Sequence, residues 1–310
     1  MPGITAEQVH WAYQTFLHRE PESENVIADH LKADDLTQLT RNFIESEEFR
    51  RTVPPVFIPL DANANTVEVD VDASTMELLV HHVRRCWEQL GRQRPHNSVI
   101  TNPDFLPDSF ARNEAAFWAS GQQDAEVLLS VLARHGMKSV SGKTCVELGC
   151  GVGRITTPLA GYFATVHGYD ISAPHLDIAR TRCETAQFHL LRALPLEFAP
   201  ADVFYSIIVL QHNPPPIIAM LIRSALECLK PGGIAVFQVP TYETDYSFRA
   251  GEYIERIKHG ALDMEMHCLP QHHIFKIAAE TGCRPLEVRE EASTGRTGRD
   301  VSNMFVIQRQ

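Results

Sequence analysis

The chain has 310 residues, 44% of them hydrophobic, and a formal net charge of -11. That is enough for one large core and an appendage, and the acidity disfavours a phosphate backbone as partner, so no nucleic acid is expected. Seven cysteines stand singly with no Cys-x-x-Cys, which argues against a disulfide framework and for a cytoplasmic protein. The Met-Pro-Gly-Ile-Thr-Ala-Glu start is no signal peptide, and no apolar run reaches the ~20 residues of a membrane span.

In chain order, Val9, Ala12, Tyr13, Phe16 and Leu17 recur at helical spacing, and Pro21 marks the break after them. Apolar patches at 27–31 and 40–49 complete a small helical module over residues 1–52. Pro54, Pro55 and Pro59 predict an extended linker. A short strand is expected at 67–71. The stretch 74–90 predicts an amphipathic helix that turns Met76, Leu79, Val80, Val83, Trp87 and Leu90 inward. Residues 91–104 read as polar loop, so 53–104 forms a linker and helical cap. The third region is 105–310. One or two helices at 113–135 lead into strands at 144–148, 165–169, 188–192, 203–210 and 234–239. Helices at 155–163, 173–185 and 217–229 alternate with them, and 230–233 is a turn. A helix at 271–281 and a closing strand pair, 286–290 and 303–308, joined through Gly295 to Gly298, end the chain. This alternation predicts an α/β fold: a Rossmann-like, doubly wound, mostly parallel sheet with helices on both faces. The run 203–210 is apolar enough to be buried on both sides.

Residues 145–155 read Cys-Val-Glu-Leu-Gly-Cys-Gly-Val-Gly-Arg-Ile. A strand ends in the acid Glu147, and Gly149, Gly151 and Gly153 follow at alternate positions, where a backbone can turn tightly and approach a ligand. The dinucleotide fingerprint would need a glycine where Arg154 stands. A carboxylate at Glu147 suits an ammonium or sulfonium better than a diphosphate. Asp170 closes the second strand, where doubly wound folds bind ribose hydroxyls. Its other reading is a helix cap, with Ser172 at hand to take that role and leave Asp170 free.

The glycine motif, Asp170, Val209-Leu-Gln-His-Asn-Pro-Pro215 and Leu229-Lys-Pro-Gly-Gly233 resemble, in order and spacing, the motifs of class I S-adenosylmethionine (SAM) methyltransferases. The resemblance covers roughly 105–310. It implies SAM as cofactor: Glu147 near its cationic methionine end, the three glycines against it, Asp170 on the ribose, Ile171 beside the adenine and Gln211 at the methionine moiety. The acid often found after the third strand in that family is missing from 190–195. His212 is a candidate general base, with a loop-capping role as the alternative. The stretch 241–270 is too long for a plain connection, and in that family such insertions cover the acceptor. Tyr242, Tyr246 and Glu265 are candidate substrate contacts and His267 a second candidate base, against the alternative of a packed lid. Glu265, His267, His272 and His273 match no metal spacing, so no metal is expected. Phe117-Trp118-Ala119-Ser120-Gly121 is a candidate lid from the other side, with core packing the favoured alternative.

Ala-Tyr-Gln-Thr-Phe-Leu-His-Arg-Glu-Pro and Phe-Ile-Glu-Ser-Glu-Glu-Phe in the first fifty residues resemble a small bacterial helical domain known as DUF4214. That domain is commonly appended to enzymes of surface glycans and to secreted proteins, which implies a glycan or small-molecule acceptor but no role for the module itself; separately, the module is a candidate docking element for a partner. The expected reaction is methyl transfer to a heteroatom, a hydroxyl by preference. The rival readings are a non-catalytic SAM-binding or scaffolding protein and a nicotinamide-dependent oxidoreductase, the latter opposed by Arg154.

Overall fold

The structure, a computed structural model, describes residues 3–46, 48–49, 58, 61–192, 194, 196–260, 262–291 and 300–310. The expected linker at 52–60, save residue 58, and the connection at 295–298 lie outside them. The described residues fall into two compact units, one before Asn63 and one from Asn63 onward.

In the first unit, α1 (Ala6–Ala12) starts on a capping box in which Thr5 Oγ accepts from the Gln8 amide and the Gln8 side chain returns the bond. It runs on as a π-helical turn to Leu17, and His18, at φ 54°, ends it. α2 (Glu24–His30) and α3 (Leu36–Ile44) follow, the latter capped by Asp35. Val9, Leu39 and Phe43 are buried where the three helices meet, with Tyr13 edge-on to Phe43. The module therefore has a core of its own.

The second unit contains, in order, β1 (Thr66–Val67), α4 (Ala73–Gln93), α5 (Pro95–Val99), α6 (Pro107–Arg134), β2 (Thr144–Leu148), α7 (Thr156–Tyr162), β3 (Thr165–Asp170), α8 (Ala173–Arg182), β4 (Gln187–Leu190), β5 (Ala201–Ser206), α9 (Pro215–Glu227), β6 (Leu229–Glu243), β7 (Ser247–Phe248), α10 (Ala250–His259), α11 (Gln271–Glu280), β8 (Cys283–Glu291) and β9 (Asp300–Arg309). Its seven-stranded sheet has the order β4-β3-β2-β5-β6-β9-β8. All pairs from β4 to β6 are parallel, and β9 runs antiparallel to both its neighbours. The doubly wound, mostly parallel fold is as the sequence predicts. Strand order reverses at β2, between β3 and β5, so a crevice opens at the carboxyl ends of these strands. Alternate residues of β5 feed two cores on opposite faces: Phe204 packs on the α4 and α9 side, Val203 and Tyr205 on the α6 and α7 side.

Four expectations need correction. Residues 91–104 are not a plain loop: Pro95 sits at the first turn of α5, and a 3-10 turn spans Pro103–Phe105. His96 stacks on Phe110, with ring centroids 3.5 Å apart, which holds this segment to α6. The expected boundary at 104 does not divide compact units, because residues from Asn63 pack with the sheet. The strand expected at 203–210 ends at Ser206. Ile208 adopts φ 58° and its N–H donates to Gln238 Oε1 at 3.0 Å, and a 3-10 turn follows at Leu210–His212. Finally, the turn expected at 230–233 lies inside β6 and not before it: the strand runs from Leu229 to Glu243, and 230–233 leave its pairing with β5, Leu229 facing Ala201 and Ile234 facing Val203, with Gly232 at φ 77°.

Candidate active site

The crevice at the strand ends is a cleft of about 1100 Å3, part of it open to solvent. Glu147, Gly149, Gly151, Asp170 and Ile171 all line it. The three motif glycines have φ of 72°, 53° and 81°, left-handed values that side chains disfavour. Close approach adds a second demand. A Cβ at Gly149 would collide with Val209 Cγ2, and one at Gly151 would stand 2.9 Å from Val99 Cγ2. Gly153 completes the turn against Ala179 and is not part of the cleft wall.

Glu147 is 3% exposed. Burial pushes its carboxyl up to about 7, against the hydrogen bond from Thr156 Oγ1 (2.6 Å) and the Arg154 charge, which favour ionisation. Arg154 is itself buried. It pairs with Asp124 of α6 at 2.6 Å and donates to Ser120 Oγ at 3.1 Å. Asp170 is not left free, as the sequence reading had it. Its Oδ2 accepts from the Gly151 amide and its Oδ1 from the Ser172 amide, both at 2.8 Å. Ser172 makes no side-chain cap; its hydroxyl donates to the Trp87 carbonyl. Asp170 thus holds the glycine turn in place while each of its oxygens keeps a second acceptor site. Glu147 and Asp170 face one cleft from two adjacent strands, with an amide-lined turn between them. These residues fit a cationic, ribose-bearing cofactor.

The other predicted residues gather elsewhere. Gln211 does not line the cleft: its side-chain oxygen accepts from Gln238 at 2.9 Å, and Asn213, two residues on, lines the cleft instead. His212 borders a second, smaller pocket together with Trp87, Tyr253 and Glu265. Its Nδ1 donates to the Glu265 carbonyl at 2.8 Å, burial pushes the imidazole down to about 4, and Nε2 accepts from Gln211 Nε2 at 3.3 Å. His267 lies between Tyr246 Oη (2.8 Å, on Nδ1) and Glu265 Oε2 (3.2 Å, on Nε2). Burial works to raise the Glu265 carboxyl, but bonds from His267 and Tyr253 and the charge of Arg256 hold it at about 2. Tyr246, Phe248 and Tyr253 pack around the His267 ring and do not stand in the large cleft. Tyr242 lies apart, donating to the Asn63 carbonyl. Phe117 is fully buried among Phe105 and Val152. Among the described residues no group of three or more His, Cys, Asp or Glu is arranged to hold a metal.

The sequence reading missed Arg84, Ser98, Val99, His175 and Asn213, all of which line the cleft. Ser98 and Val99 belong to α5, which the sequence presented as loop. Ser98 Oγ pairs with His175 Nε2 at 2.9 Å, and this fastens α5 across the glycine turn. Trp87 was legible as an inward-facing position, though nothing in its spacing marks it as a wall shared by both pockets.

Comparison with known proteins agrees with this geometry. Residues 145–233 match a family described as methyltransferase domain. The ubiquinone biosynthesis O-methyltransferase of Nitrosococcus oceani is 25% identical over 180 residues, 56% of this chain and 64% of that protein. Its counterpart from Bordetella pertussis is 34% identical over 106 residues, 32% of this chain and 43% of that protein. The chain thus spans less than two thirds of the length of these relatives. The crystal structure of magnesium protoporphyrin IX methyltransferase from Synechocystis with bound S-adenosylhomocysteine (SAH) superposes with a TM-score of 0.52 at 18% identity, covering 74% of this chain and 99% of that one. At that identity the likeness speaks for the fold.

Proposed function

We propose that this chain, which carries a SAM-dependent methyltransferase domain, places the methyl group on a hydroxyl of an apolar small molecule. The observation that carries the reading is the pairing of Glu147 and Asp170 across a left-handed glycine turn in one cleft. The bound cofactor supplies a methyl group on a positively charged sulfur, whose leaving group is neutral and needs no acid. Glu147 opposes that positive charge. Asp170 accepts from the ribose hydroxyls while its present bonds fix the turn, and Ile171 forms the adenine wall. The methyl acceptor must be held in line with the methyl carbon, and such positioning supplies much of the rate.

The relatives named as O-methyltransferases support a hydroxyl acceptor. The expected sugar platform loses its motive, since the aromatic side chains of 246–253 are spent on packing His267. His212 is the proposed proton acceptor from the far side of Trp87, and to serve it must exchange the Gln211 bond on Nε2 for the acceptor's hydroxyl. With its imidazole near 4 it is a weak base, suited to an acidic hydroxyl such as a phenol. His267 acts as a positioning residue: it binds the Glu265 side chain, whose own carbonyl holds His212.

The test is calorimetric titration with SAM and with NAD, paired with transfer of labelled methyl to a panel of phenols. Wild type should bind SAM and not NAD. Asp170→Ala should weaken SAM at least tenfold, while His212→Ala should lower turnover at least tenfold with SAM affinity kept. Binding of NAD in place of SAM would end the reading, and unchanged turnover in His212→Ala would remove the base.

A further inference from the structure

Two pockets meet at one side chain. Val83 and Trp87 of α4 line both the large cleft and the smaller pocket, which has about 240 Å3, part of it open to solvent. The Trp87 ring neighbours His175, which lines the cleft (centroids 6.3 Å apart), and His212, which lines the smaller pocket (5.4 Å). The chain after β5 straddles the same divide: Asn213 lines the cleft and His212 the smaller pocket. His212, Tyr253, Met264 and Glu265 do not line the cleft, and the glycine turn, Asp170 and Ile171 do not line the smaller pocket. The smaller pocket therefore stands apart from the donor's place, with Trp87 as their common wall.

The helix that carries this wall is pinned. Ser172 Oγ donates to the Trp87 carbonyl at 3.1 Å, and at Gly91, one turn on, a Cβ would stand 2.7 Å from Ser172 Oγ. The indole is not pinned. It is half-buried, and its N–H donates to no group among the described residues, whereas that of Trp118 donates to Glu114 at 3.0 Å. Joining the two pockets thus asks for a change of rotamer at one residue and no shift of α4.

We infer that the smaller pocket is the acceptor subsite, that it takes an uncharged single-ring phenol, and that Trp87 is the gate between acceptor and donor. The inference rests on the hydroxyl-transfer reading above and adds where the acceptor sits and what bars its way. The pocket is smaller than the ~300–1,000 Å3 of sites for drug-sized ligands, so it has room for one ring. No lysine or arginine lines it, and Arg256 is already paired with Glu265, so an acid finds no counter-charge there. With the indole turned aside, the acceptor's oxygen bonds the methyl carbon as the carbon–sulfur bond breaks and its electron pair returns to sulfur. The hydroxyl proton passes to His212 Nε2, in place of the Gln211 bond.

The test titrates the full chain, saturated with SAH, with 4-methylphenol, and follows labelled methyl transfer from SAM to 4-methylphenol and to 2-naphthol. Met264→Trp, which fills the smaller pocket, should weaken 4-methylphenol at least tenfold with SAH affinity kept; unchanged 4-methylphenol affinity would overturn the subsite. Trp87→Ala should raise the turnover ratio of 2-naphthol to 4-methylphenol at least tenfold, a ratio that reads the gate even where the variant is slower overall. An unchanged ratio would overturn the gate. Should either variant lose SAH binding, Met264→Phe and Trp87→Leu carry the same comparisons. Methyl transfer to 4-methylphenol at the wild-type rate in Met264→Trp would sink the subsite and leave the hydroxyl-transfer reading standing. Bound 4-methylphenol that receives no methyl in any variant would end that reading and the gate with it.

Discussion

Glu147 works against the fold and for the ligand. Its carboxyl sits at about 7 in place of 4.5 because burial penalises the charge. A group raised in the folded state contributes fully below its unfolded value, and that contribution is lost as pH rises from 4.5 through 7, at a cost of roughly 3 kcal/mol by pH 8. Glu147→Gln should therefore be more stable than wild type at pH 8, with the difference shrinking towards pH 4, as thermal melts would record. The same substitution should weaken SAM, and only the wild type should show affinity climbing with pH up to about 7. A variant less stable at pH 8 would contradict the account. The place of Glu147 in the cleft was legible because an acid before alternating glycines is a local pattern. The placement of His212 was not. It follows from where β5 stops, and that is set by Gln238, thirty residues downstream, binding the Ile208 amide.

At the scale of elements, the patterned pieces were readable and the irregular ones were not. β2, β3 and α7 to α9 lie close to their expected spans because apolar period and glycine or proline punctuation agree there. The run from Phe204 to Leu210, apolar save Ser206, carries no glycine or proline stop signal, so its end was overshot by four residues. α5 was invisible because it is short and polar and is held by tertiary contacts to Phe110 and His175. The approach of α6 to the motif turn is a further tertiary feature. Gly121 faces the Arg154 carbonyl so closely that a Cβ would collide with backbone. Gly121→Ala should cost about 1–3 kcal/mol in denaturant unfolding, the usual penalty of overpacking. Gly161→Ala, in α7 with nothing near its Cβ, should stabilise by up to ~1 kcal/mol. A neutral Gly121→Ala would mean that α6 and the motif turn separate more easily than their packing indicates.

For the whole molecule, the division before Asn63 separates a small helical core from the unit that holds every residue lining the cleft, from Val80 to Leu221. A fragment spanning 63–310 should bind SAM with the full chain's affinity in calorimetry; a tenfold loss would show that the cleft depends on the helical module. No helix among the described residues is long and apolar enough to cross a membrane.

The sheet's last-made strand is not at its rim. β9 lies between β6 and β8, and both were synthesised before it. Until Asp300–Arg309 leaves the ribosome, β6 has an open flank and β8 has no neighbour to pair with. A nascent chain halted before Asp300 therefore carries two sticky edges at once.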